Sequence, residues 1–130
     1  MLSAELLTPI YDTMDTFSRD DFIFLTDNVN CRLVRSSNIL SLKADGNYTQ
    51  IHLTDATIIL IHCAFHKCER QLDPSMFFRT SRDCIINLTH VKEVRIFDHK
   101  RYMFIMSNDK EVILSCQNSL RFKREKSLVP

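Results

Sequence analysis

From residue 21 onward the apolar residues come in short runs separated by small polar clusters. Runs of this kind, rich in Ile, Val, Phe and Thr and bounded by Asn, Asp and Gly, predict β-strands. The first is DFIFLT (21–26) and the second CRLVR (31–35), with Asn28 and Asn30 marking a turn between them. NILSLKA (38–44) follows, and DGN, which holds the only glycine, Gly46, turns the chain into YTQIHL (48–53). TDA is a further turn signal and TIILI (57–61) a further strand. The period then changes. In HCAFHKCERQL (62–72), Phe65, Cys68 and Leu72 fall on one side at helical spacing, which predicts a helix that Asp73–Pro74 ends.

FFRTSRDCIINL (77–88) reads as two buried strands joined by a loop, with Phe77 or Phe78 anchoring one side and Ile85 and Ile86 the other. Arg79 and Arg82 between them would be pushed outward. VKEVRIF (91–97), RYMFIMS (101–107) and EVILSC (111–116) predict three strands of a meander, joined at DHK and NDK. The tail NSLRFKREKSLV (118–129) reads as a basic helical or frayed end. Upstream, Thr8–Pro9 suits a helix start, and Ile10, Tyr11, Met14 and Phe17 share one helical face. Residues 9–17 are therefore expected to form a short amphipathic helix that covers an edge of the domain or serves a dimer contact.

Roughly nine short strands and two or three helices result, with neighbouring strands joined by tight turns. Antiparallel pairing is expected, and the lack of βαβ alternation argues against a doubly wound parallel sheet. The expected fold is mainly β. The expected division is an N-terminal extension (1–20), a domain (21–126) and a tail (127–130).

Composition adds bounds. The 130 residues suit one domain, and 45% apolar with 25% charged residues describes an ordinary globular chain that can bury its own core. No apolar run approaches the roughly 18 residues of a membrane span. The opening MLSAELLTPI lacks a signal peptide's charged n-region and long h-region, so the chain reads as cytoplasmic. Five cysteines, an odd number mostly inside apolar segments, read as packed thiols rather than a disulfide framework. Residues 1–30 carry one Arg and six acids, a balance of −5, while residues 31–130 carry sixteen bases and ten acids, a balance of +6. That asymmetry points to an anionic partner such as nucleic acid, or to an ordinary solvated surface.

Candidate chemistry is sparse. On a helix His62 and His66 would share a face and suit a metal, but Cys63 and Cys68 form no Cys-x-x-Cys pair, so a metal-responsive module is only an alternative reading. Catalysis lacks a motif: one glycine cannot make a phosphate loop, and there is no G-x-S-x-G elbow. No enzymatic activity and no cofactor are expected. An arginine on a rigid packed loop, by contrast, can read a guanine edge or grip phosphate, or it can pair internally, with Asp83 a partner within reach along the chain.

Taken in order, these segments resemble the LytTR-type DNA-binding domain of bacterial transcriptional regulators over about residues 20–126. The family's I-x-x-I-E-A-x-x-N-Y falls on Ile39, Leu42, Lys43, Ala44, Asn47 and Tyr48. Its F-x-R-x-H-R-S-x-x-V-N falls on Phe77, Arg79, Ser81, Arg82, Asp83, Ile86 and Asn87. Its closing Ser-Arg before a short helix falls on Ser115 and Cys116. Ser81 stands for the usual His, Asp83 for the usual Ser and Cys116 for the usual Arg.

The resemblance implies an elongated set of small antiparallel sheets with one or two short helices. It implies that loops rather than a recognition helix enter the major groove of double-stranded DNA. These would be the loop at Asn47 and Tyr48, the loop at Arg79, Ser81 and Arg82, and the junction at Cys116 and Gln117. Asn118 could supply an amide to adenine, and Lys123, Arg124 and Lys126 could meet phosphates. The resemblance further implies paired direct repeats as the target and a possible homodimer on DNA. A repurposed protein-interaction domain is the alternative. Many relatives carry a receiver domain in front. About twenty residues precede the domain here, so either a stand-alone regulator or a domain cut from something longer is expected, and the start at Met1 favours the first.

Overall fold

The computed structural model describes residues 21–26 and 31–128. The helix expected over residues 9–17 lies outside the described residues. The described chain is mainly β. Its strands are β1 (Phe22–Thr26), β2 (Cys31–Arg35), β3 (Ile39–Asp45), β4 (Tyr48–Leu53), β5 (Ile58–Ile61), β6 (Phe77–Ser81), β7 (Cys84–Asn87), β8 (Val91–Ile96), β9 (Tyr102–Met106) and β10 (Glu111–Ile113). Its helices are α1 (Phe65–Gln71) and α2 (Cys116–Lys126). The strands make three sheets: the hairpin β1-β2, a five-stranded sheet ordered β5-β4-β3-β7-β6, and a three-stranded sheet ordered β10-β9-β8. All pairs are antiparallel.

The five-stranded sheet is covered on both faces, which explains its consecutive apolar pairs. Side chains alternate between faces along a strand, so adjacent apolar residues serve two different cores. Phe77 and Ile85 join Leu42, Ile51 and Ile59 in a core shared with the hairpin residues Ile23, Leu25 and Val34 and with Phe65 and Cys68 of α1. Phe78 and Ile86 join Leu40, Phe104, Met106 and Leu114 in a second core, on which Phe122 of α2 packs. The Phe122 ring meets Phe104 and Phe78 edge-on at centroid distances of 5.0 and 5.5 Å. Full burial of one such side chain contributes about 1.5–3 kcal/mol.

Asn87, fully buried between the cores, latches β7 to β3. Its Nδ2 donates to Ile39 O at 2.9 Å, and its Oδ1 accepts from Thr89 N at 3.0 Å and Thr89 Oγ1 at 2.7 Å. Every polar group of the side chain faces a partner, as a buried amide requires.

Three expected boundaries move by more than a residue. The helix expected over 62–72 begins only at Phe65. Thr49 Oγ1 donates to Cys63 O at 2.8 Å, so residues 62–64 are spent on a bend out of β5. The strand expected over 111–116 stops at Ile113, and Cys116 starts α2. Ser115 accounts for this, since its side chain accepts Asn118 N at 3.1 Å and caps the helix. The tail is therefore helical as far as Lys126, with Lys123, Arg124 and Lys126 at the negative end of α2. The described residues hold ten strands, against the roughly nine expected, and the run 77–88 gives two of them as its pattern predicts.

Candidate nucleic-acid interface

Two tight turns and one helix start lie together at one end of the five-stranded sheet. The first turn joins β3 to β4 with only Gly46 and Asn47 between the paired residues Asp45 and Tyr48. Gly46 adopts φ +62°, as the leading residue of a glycine-led two-residue hairpin must. Asn47 projects from this turn and is exposed. The Tyr48 ring, partly exposed, stacks on His62 at 4.7 Å.

The second turn joins β6 to β7 through Arg82 and Asp83, between the paired residues Ser81 and Cys84. Neither turn residue takes a positive φ, so no glycine is needed. A bulge at Thr80 tightens the approach. Ser81 Oγ accepts Asp83 N at 3.4 Å. The Arg82 side chain is 94% exposed and meets Asp83 only at 3.6 Å.

The third element is the start of α2, where Cys116 and Gln117 are exposed. Two backbone hydrogen bonds stitch the three together: Ala44 N donates to Asp83 O, and Ser115 N donates to Thr80 O, both at 2.9 Å. The order across the end is thus Asn47, Arg82, Cys116. Beyond Cys116 a groove of about 680 Å³ opens between α2 and the β8–β9 hairpin, and Cys116, Gln117 and Lys123 share its wall with Lys100. The hairpin tip is fixed by Asp98, whose carboxyl is held below the usual range chiefly by its hydrogen bond from Arg101.

Other residues picked out in the sequence are differently occupied. Arg79 is not free. It pairs with Glu69 of α1 at 2.5 Å, not with Asp83. Asn118 lies within the first turn of α2, and its Oδ1 accepts Arg121 Nε at 3.3 Å. His62, Cys63, His66 and Cys68 do not form a metal cluster. His62 and Cys63 precede α1, and among the described residues no group of three or more His, Cys, Asp or Glu could hold a metal ion. The Cys68 thiol is pushed up to about 11, mainly by burial.

Glu69, Arg121 and Asn87 gave no sign of their roles in the sequence. The partners that define those roles (Arg79 for Glu69, the Arg79 carbonyl for Arg121, the Ile39 carbonyl for Asn87) are remote along the chain, and only Ser115 carried a local signal, as a capping residue before a helix.

An all-antiparallel domain that aligns two turns and a helix start at one sheet end is a loop-presenting β domain. The LytTr DNA-binding domain family model matches residues 30–126. The chain belongs to that family. It is 30% identical over 76 residues to the transcriptional regulatory protein LytR of Staphylococcus aureus, covering 58% of this chain and 30% of the relative. It is 36% identical over 62 residues to the CO-responsive transcriptional regulator RcoM of Rhodospirillum rubrum, covering 48% of this chain and 26% of the relative. The chain thus spans less than a third of the length of these relatives. The fold is that of a solved LytTr DNA-binding domain from Bacillus cereus, with a TM-score of 0.72 at 20% identity over 81% of this chain and 95% of that one. No helix among the described residues is long and apolar enough to cross a membrane.

Proposed function

We propose that the chain binds double-stranded DNA sequence-specifically and regulates transcription, with the aligned turns entering the major groove. The observation that carries this reading is the Arg82 guanidinium, held out at the centre of the aligned end with no packing of its own. A guanidinium so placed can take guanine O6 and N7 together. Asn47 on one side and Gln117 on the other present amides suited to adenine. Tyr48 and Ser81 flank these contacts, while Cys116 occupies the position at which the family offers an arginine. Asn118 presents its amide nitrogen, and Lys123 meets phosphate. Paired direct repeats, a homodimer on DNA and a cytoplasmic location belong to the same reading.

Selection of bound duplexes from a random pool, followed by titration across salt, tests it. Binding to DNA releases counterions, so affinity will fall linearly on a log–log plot with a slope of about −0.9 per phosphate neutralised. No enriched sequence, and no binding at low salt, would discard the reading in favour of a protein partner.

A further inference from the structure

Arg79 lies three residues from Arg82 and by charge resembles a second DNA contact, yet its side chain turns back beneath the β6–β7 turn. Nε donates to Ser81 O at 2.9 Å and Nη2 to Arg82 O at 2.6 Å. Nη1 donates to Glu69 Oε1 at 2.5 Å, and the guanidinium carbon sits 4.8 Å from the centre of the Phe65 ring. Both Glu69 and Phe65 belong to α1. The Arg79 carbonyl in turn accepts Arg121 Nη2 of α2 at 3.2 Å. Position 79 is therefore gripped by both helices and itself grips both carbonyls that lead into the turn.

We propose that Arg79 is a positioning residue for base reading: it fixes the backbone from which Arg82 projects, and Glu69 holds it there from α1. The inference rests on the DNA-binding reading above. A side chain as exposed as that of Arg82 has no packing to aim it, so its aim is set by its backbone. That backbone has no glycine, proline or positive φ to dictate its shape. Beyond the Ser81–Cys84 pairing, the Ser81 Oγ contact and the Ala44 bond to Asp83 O, what closes it is a planar fork that reaches two carbonyls and a carboxylate while lying on a ring. Lysine, a point charge on a flexible stem, cannot copy that. Because Arg79 is already paired with a carboxylate, it adds no counterion release, so its loss will reduce base discrimination and leave general attraction to DNA unchanged.

The test uses the full chain with Arg79→Lys, Glu69→Gln and Arg82→Ala, alone and as the Arg79→Lys/Arg82→Ala pair. Each is titrated with a selected duplex and a scrambled one from about 50 to about 300 mM salt, at a temperature where circular dichroism shows every variant folded. For Arg79→Lys we expect the specific-to-scrambled ratio to fall about tenfold, scrambled affinity to stay within about twofold, and the salt slope to hold. Glu69→Gln shifts the ratio the same way, by less. Arg82→Ala costs less in the Arg79→Lys background than in the parent, a coupling that general destabilisation would not produce. A charge-removing Arg79→Gln variant carries the slope test, since lysine would still neutralise a phosphate: a slope reduced by about 0.9 there would make Arg79 a phosphate contact, and additive losses would overturn the positioning role. Amide exchange without DNA separates this inference from the reading beneath it. Arg79→Lys will speed exchange at Asp83 and Cys84 about tenfold with the rest of β7 unchanged, and unchanged turn amides would refute the inference even if the parent binds no duplex.

Discussion

Asp83 sits beside Arg82 where the family usually has a serine, and replacing it with Asn isolates its effect. The carboxylate approaches Arg82 Nε at 3.6 Å through a single oxygen, and both side chains are well exposed. An exposed pair of this geometry contributes under about 1 kcal/mol and does not aim the guanidinium. When Arg82 enters a groove, Asp83 comes near the phosphate backbone. Two like charges about 6 Å apart in water repel by about 0.7 kcal/mol, which corresponds to about threefold in affinity. Removing the carboxylate also removes the small cost of separating it from Arg82, so Asp83→Asn should tighten binding about two- to fivefold. Fluorescence anisotropy with a selected duplex at fixed salt measures this directly. The gain should shrink as salt rises and the Debye length shortens. A loss of affinity on Asp83→Asn would refute the reasoning, because it would mean that the carboxylate orients Arg82 after all.

Asn87→Ala leaves the buried Ile39 carbonyl without its donor and should lower stability by about 2–3 kcal/mol in urea unfolding; a change within about 0.5 kcal/mol would show that the latch is dispensable. Asp55 accepts Arg32 Nη2 at 2.8 Å and is pushed down to about 2, first by that hydrogen bond and then by Thr57. Its folded carboxyl is therefore more acidic than the unfolded one, so its stabilisation is full above about pH 4 and fades as pH falls toward about 2. The gap in urea midpoint between the parent and Asp55→Asn should close over that window. Exposed Cys31 and Cys116 should react readily with a maleimide while buried Cys68 does not. Bound duplex should protect Cys116 and spare Cys31, and equal protection of both would place the DNA elsewhere.

The strands were legible because a twice-covered sheet writes itself as consecutive apolar pairs, as at Phe77–Phe78 and Ile85–Ile86. The aligned loops were legible only through family resemblance, since nothing local to Asn47, Arg82 and Cys116 says that they share an end. Their alignment depends on backbone bonds from Ala44 to Asp83 and from Ser115 to Thr80, which no side-chain pattern encodes. The Glu69–Arg79 pair was hidden for a similar reason, because its ten-residue separation crosses from a helix to a strand. His62 and Cys63 misled in the opposite direction: their spacing fits a helix, but Thr49 captures the Cys63 carbonyl before one can start.

Both turns at the aligned end have two residues between paired strand positions, and the second is already closed by a guanidinium. Such a surface has little left to order when a partner arrives. A segment that folds on docking gives up part of its interaction energy to ordering and shows a heat-capacity change larger than its footprint accounts for. Here the heat capacity of association should follow the contact area alone, and the bimolecular rate should be set by encounter and charge rather than by a conformational search.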